Sequence, residues 1–231
     1  IHRLREERKE LFLTWPRIVR DRELNGRKET FNELVQKGLG GFLVRNMESY
    51  GILDGMGLTS RIVLDANIYT MNNRAEAFWM KKGILGDTVP LELNAKELVH
   101  RNNKNSELTV YGYTPMMVSV QCVQKTMDHC NHACAQYVLK DRYQKEFRGV
   151  CSCEFCYNTI FNALPTSLLK EKEKAENLGV KAYRLSFTTE TRQETEKIVQ
   201  AFVSVYLKGQ KPDGQMQTGE TTKGHFQRGV E

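Results

Sequence analysis

The sequence has no cysteine before Cys122 and none after Cys156, although six lie in the stretch between them. It has no apolar run near the roughly 18–20 residues of a membrane helix, and nothing that reads as a signal peptide. These absences point away from a membrane-spanning or secreted protein and towards the cytoplasm. Lys and Arg form no block of the kind that a disordered nucleic-acid arm carries. The net charge of +6 comes from scattered residues, so it permits an RNA partner without requiring one. His-Glu-x-x-His and Gly-x-Ser-x-Gly are both missing, which removes the commonest zinc-peptidase and serine-hydrolase signatures.

What is present suits a folded chain of 231 residues, 40% hydrophobic and 27% charged, long enough to bury a substantial core. It opens at Ile1 inside a charged helical pattern, Arg3 to Leu13, so residues 1–30 are expected to be a helical lead-in from a missing N-terminal part of a longer chain. Residues 31–209 alternate β-rich and helical patterns. Strands are expected at 41–46, 61–65, 87–91, 107–112 and 182–187, with Met116 to Val120 extending or flanking the fourth. Helices are expected at 47–53, from Asn73 as cap to Gly83, from Asn94, and over 165–177. The last is marked by Thr191 and Glu194 as a capping box and by the stripe Ile198, Val199, Phe202, Val203 and Tyr206. This spacing of βα units predicts an α/β fold, the C-terminal part of a βα barrel, with a cysteine-rich insert over 122–162. An open α/β sheet is the alternative. Residues 210–231 are expected to form a mobile tail ending in Gly-His-Phe-Gln-Arg-Gly-Val-Glu.

Six cysteines confined to one insert of a large domain favour a local metal site over a disulfide framework. Cys153 and Cys156, with two residues between them, form the usual half-site for zinc or an iron–sulfur cluster, and the second pair must come from another loop. Cys122 and Cys130 are candidates. Spacing leaves Cys134, Cys151, His129 and His132 in contention, and it does not separate zinc from iron–sulfur.

Longer motifs carry a resemblance. They are Tyr111-Gly112-Tyr113-Thr114-Pro115-Met116-Met117-Val118-Ser119, Gln121-Cys122-Val123, Lys140-Asp141-Arg142, Cys153-x-x-Cys156-Tyr157-Asn158-Thr159-Ile160, Arg184 to Glu190 and Gly224 to Glu231. In that order they resemble the collagenase-like peptidases, peptidase family 32 of unknown catalytic type. The match spans nearly the whole chain and corresponds to that family's C-terminal half. Thr109 stands where the family usually has Phe, and no cysteine precedes Met116, so the chain looks more like a branch common in anaerobic bacteria.

The family's name implies proteolysis, originally of collagen. Its better-understood members imply something else: a four-iron four-sulfur cluster on four cysteines, and oxygen-independent hydroxylation of RNA pyrimidines or of a quinone precursor, in some with prephenate as oxygen source. By this resemblance Cys122, Cys130, Cys153 and Cys156 fall on the cluster-ligand positions, with zinc as the alternative occupant. Glu92, Arg184, His225 and Arg228 are the candidate catalytic residues: the first two lie at strand ends, where barrel sites form, and the others in the terminal motif. Asn94 and Asp65 also follow strands, with helix capping as their competing role. RNA, a peptide substrate and a second copy of the chain, pairing with an incomplete barrel, are the partners considered.

Overall fold

The computed structural model describes residues 1–20, 27–127, 130–213, 216 and 219–230. Contacts divide the chain into two compact units, Ile1–Pro90 with Arg101–Glu107, and Leu91–His100 with Leu108–Glu231.

In the first unit a short helix α1 (His2–Glu6) precedes strand β1 (Phe12–Thr14). Helix α2 (Arg27–Gln36), strand β2 (Gly41–Val44), helix α3 (Met47–Gly55) and strand β3 (Ile62–Leu64) follow. Helix α4 (Asn73–Lys81) then leads to β4 (Gly86–Thr88), which pairs with the start of β5 (Ser106–Gly112). All of these pairings are parallel and run in chain order, β1 to β5. That is the order of a barrel segment and not the switched order of a doubly wound sheet. The Gly-Phe-Leu-Val run of β2 is buried at every position, as a parallel strand covered on both faces must be. Phe42, Val44, Ile62 and Leu64 pack with Trp15, Phe31, Leu53 and Trp79 into one apolar core.

Two expectations change here. The helical pattern over Arg3 to Leu13 ends early, because Phe12 to Thr14 pair with Gly41 to Leu43 and join the sheet. The cap of α4 is Asn72 and not Asn73: Asn72 has extended backbone angles, and its side chain accepts from the Arg74 and Ala75 amides, whereas Asn73 is already helical.

A polar network lies inside this unit. Asp87 on β4 accepts from the Arg101 guanidinium, the Thr70 hydroxyl and, at 2.6 Å, the Ser106 hydroxyl. Arg101 also donates to the Thr70 carbonyl at 2.7 Å and to Asn103 and Ser106 at 2.9 Å. Both charged side chains are about 2–3% exposed.

The second unit contains helix α5 (Ala95–Leu98), the rest of β5, and a four-stranded antiparallel sheet. That sheet comprises β6 (Pro115–Ser119), β7 (Gln136–Lys140), β8 (Glu146–Ser152) and β9 (Tyr157–Phe161), in the order β6-β9-β8-β7; the short helix α6 (Val123–Thr126) lies between β6 and β7. Residues 116–120, expected to extend or flank β5, instead pair with β9. The helix expected over 165–177 is also broken up. Thr166–Ser167 form β10 against Tyr111 and Gly112, and Ser167 and Leu168 donate their amides to the Thr222 and Val110 carbonyls. Only α7 (Lys172–Glu176) is α-helical there. Strand β11 (Ala182–Ser186) also pairs with β5, and α8 (Arg192–Phe202) has the expected Thr191–Glu194 capping box. Its buried face is Ile198, Ala201, Phe202 and Val205, and Val199 is exposed. A π turn over Val203–Leu207 widens the last turn and carries Val205 inward.

Candidate functional site

The antiparallel sheet brings two cysteine loops together. The loop after β6 carries Cys122, Cys130 and Cys134, and the turn from β8 to β9 carries Cys153 and Cys156, with Cys151 still on β8. His129, one of the residues spacing left open, lies outside the described residues, as does Glu231 of the terminal motif; His132 is exposed. The turn is tight: the Cys156 amide donates to the Cys153 carbonyl, and Cys156 has φ +52. Cys153 lies among the other thiols. Burial pushes its pKa up, and so do its neighbours Cys134, Cys122, Cys130 and Cys156, in that order. Its Sγ donates to the Ala133 carbonyl at 2.8 Å. Among the described residues no three His, Cys, Asp or Glu side chains converge on one point as metal ligands do. The thiols of the two loops are therefore neighbours without a shared focus, and Cys153 is held by its bond to Ala133. Their donor chemistry, thiols from two loops around Cys153, fits a soft thiolate centre. A chelating geometry would require deprotonation and a turn of the side chains.

Cys151 is the one buried thiol of the six. It is 1% exposed, its Sγ donates to Asn158 Oδ1 at 2.9 Å, and burial together with Cys122 and Cys153 pushes its pKa up to about 11. Cys134, which spacing did not favour over Cys130, is exposed beside Cys153.

A cavity of about 960 Å³ opens in the same unit, walled by Tyr111, Tyr113, Arg148, Glu190, Glu194 and Lys197 among others. The Arg148 guanidinium lies 4.8 Å over the Tyr113 ring and donates to the Thr189 hydroxyl at 2.9 Å, so its charge is fixed in place. Glu190 Oε2 accepts from the amides of Thr188 and Thr189, at 2.6 and 3.0 Å. Its Oε1 is buried without a well-aligned donor, although the Tyr111 hydroxyl is near enough to be pushed up by burial and then by that carboxylate. Arg148 stands three residues before Cys151 on β8, roughly 10 Å along the strand, so one strand connects the cavity with the thiols.

The four candidate catalytic residues occupy different surroundings. Glu92 follows β4 and has a buried Oε2 without a partner. Two residues on, Asn94 caps α5 with a capping box to Glu97, the role that competed with a catalytic one. Asn94→Ala should therefore cost about 1 kcal/mol in urea unfolding, as lost caps do. The terminal motif returns to this loop: an added Cβ on Gly229 would meet Asn94 Nδ2 at 2.9 Å. Thr222 bridges Thr166, Lys223 pairs with Glu171, and Phe226 is buried, so residues 222–229 are docked. Within the motif His225 Nδ1 lies 2.9 Å from the Gly229 carbonyl, and Arg228 is exposed. Arg184 is on β11 beside β5. Asp65, in the first unit, caps the turn at Ala66 and pairs with Arg45 at 2.8 Å. Sequence reasoning missed Arg148 and Lys197, since neither falls in a motif and the cavity gathers them from separate segments.

A family model described as Peptidase family U32 matches residues 1–230. No curated protein and no solved structure matches the chain.

Proposed function

The chain belongs to peptidase family U32, and from that premise we propose an enzyme built around a four-thiolate iron–sulfur centre that hydroxylates an RNA pyrimidine, or a related small aromatic, without oxygen. The observation that carries this reading is the gathering of Cys122, Cys130, Cys134 and Cys156 around Cys153 from two loops of one sheet. Cys122, Cys130, Cys153 and Cys156 are the proposed ligands. A bound cluster would supply one-electron redox chemistry beside the substrate.

The residues of the chain then divide the remaining work. In the cavity Tyr111 and Tyr113 offer ring faces for a flat substrate, and Arg148 and Lys197 offer charge to a phosphate. Glu190 Oε1, buried and lacking an aligned donor, is placed to accept a ring N–H or amine. Glu92 and the docked terminal motif supply further polar groups. His225 Nδ1 faces the Gly229 carbonyl, which can only accept, so Nδ1 is the donor there and Nε2 is the ring nitrogen not used in that bond. Arg184 and Arg228 complete the proposed set.

Anaerobic purification tests the proposal. The expected result is a brown protein with about four iron per chain, as a cubane cluster requires. One zinc per chain without iron would replace the proposal with a zinc-stabilised module. Gelatin cleavage that survives Cys153→Ser would replace it with the peptidase that the family is named for.

A further inference from the structure

Asn158 lies on β9, the inner strand between the two that lead to the cysteine loops. Its register partners are Ser119 on β6 and Cys151 on β8. The side chain is 1% exposed and bonded at both ends of its amide. Nδ2 donates to the Gln121 carbonyl at 2.9 Å, immediately before Cys122. Oδ1 accepts from Cys151 Sγ at 2.9 Å, two residues before Cys153. The partners fix the orientation of the amide, because a carbonyl can only accept and so must face Nδ2. One buried carboxamide thus links the backbone entering the first cysteine loop to the strand entering the second.

A buried asparagine that merely satisfied a stray carbonyl would need only one of these bonds. Here the two bonds reach the chain beside Cys122 on one side and beside Cys153 on the other, so the amide sets how far apart the loops start. Cys151 spends its proton on this bond and is buried, whereas the other five thiols are partly or fully exposed, and it lies close behind Cys122.

We infer that Asn158 is a positioning residue for the thiolate centre, with Cys151 as its hydrogen-bond donor and not as a ligand. The inference rests on the proposed centre. Residues that orient metal ligands from behind typically change metal affinity about 10- to 100-fold when replaced.

The test reconstitutes the full chain anaerobically with ferrous iron and sulfide. Iron per chain, its rate of loss to EDTA and the unfolding midpoint of the metal-free protein are then measured. Cys151→Ser, which keeps a donor, should hold as much iron as the unaltered chain, and Cys153→Ser should not. Asn158→Leu, similar in size but without hydrogen-bonding groups, should lose iron about tenfold faster or more. An unchanged loss rate in Asn158→Leu overturns the inference, as does iron loss from Cys151→Ser equal to that from Cys153→Ser. If Asn158→Leu does not fold, the Cys151→Ser comparison decides. If the unaltered chain takes up no iron, the proposed centre fails, and the clamp is judged without metal. Oxidation of Cys122 and Cys153 to a disulfide should then be slower in Asn158→Leu, and an equal rate overturns the clamp.

Discussion

Arg101→Ala is expected to destabilise the protein by about 3–5 kcal/mol, the usual cost of removing one partner of a buried ion pair. Asp87 would keep the Thr70 and Ser106 hydroxyls, but its charge would lose the guanidinium that neutralises it. The Thr70 carbonyl and Asn103 would lose a donor in the same substitution. Few domains have more than 5–15 kcal/mol to lose, so the variant should unfold at much lower urea, with an unchanged slope. A loss below about 1 kcal/mol would mean that water reaches Asp87 and solvates it, because surface pairs are worth no more than that.

Gly112→Ala should be nearly as severe, and for a different reason. Gly112 has φ +147, where an L side chain is strained by about 1–3 kcal/mol. An added Cβ would lie 2.5 Å from the Ser186 carbonyl oxygen and 2.8 Å from the Ser186 Cβ, so β5 or β11 must shift, at about another 1–3 kcal/mol. Gly112 lies between Tyr111 and Tyr113, so that shift should also reshape the cavity. Gly179→Ala is the control. There φ is +62 with nothing within 4 Å, and only backbone strain of about 1–2 kcal/mol applies. Equal effects of the two substitutions in thermal unfolding would show that the contact with Ser186 is easily relieved.

The parallel strands were legible because runs such as Gly41 to Val44 and Arg61 to Asp65 are apolar and bounded by turn residues. Strand β1 was not, since Phe12 to Thr14 are few and sit after a charged stretch that imitates a helix. Residues 165–177 misled for a non-local reason: the amides that would start a helix are taken by Val110 and Thr222, far away in the chain. The same division applies to the candidate site. Cysteine spacing located it, but spacing carries no information about burial, so Cys151 looked like a spare ligand until its bond to Asn158 was visible. The cavity was beyond reach because Tyr111, Arg148, Glu190 and Lys197 come from a strand of one sheet, a strand of the other, a loop and a helix.

The placement of β9 has a consequence for the order of events in the cell. Cys122 follows β6 and Cys153 follows β8, and these strands do not touch each other; each pairs with β9, which comes later in the chain than either. The two halves of the thiol set therefore become neighbours only when the last strand of the sheet inserts. A zinc finger recruits its metal to fold, but here the sheet must be complete before the two cysteine loops can meet. For the proposed centre, metal delivery would then be a late step, made to a finished scaffold, and a chain interrupted before Tyr157 would present its cysteines to oxidants with the two loops still apart.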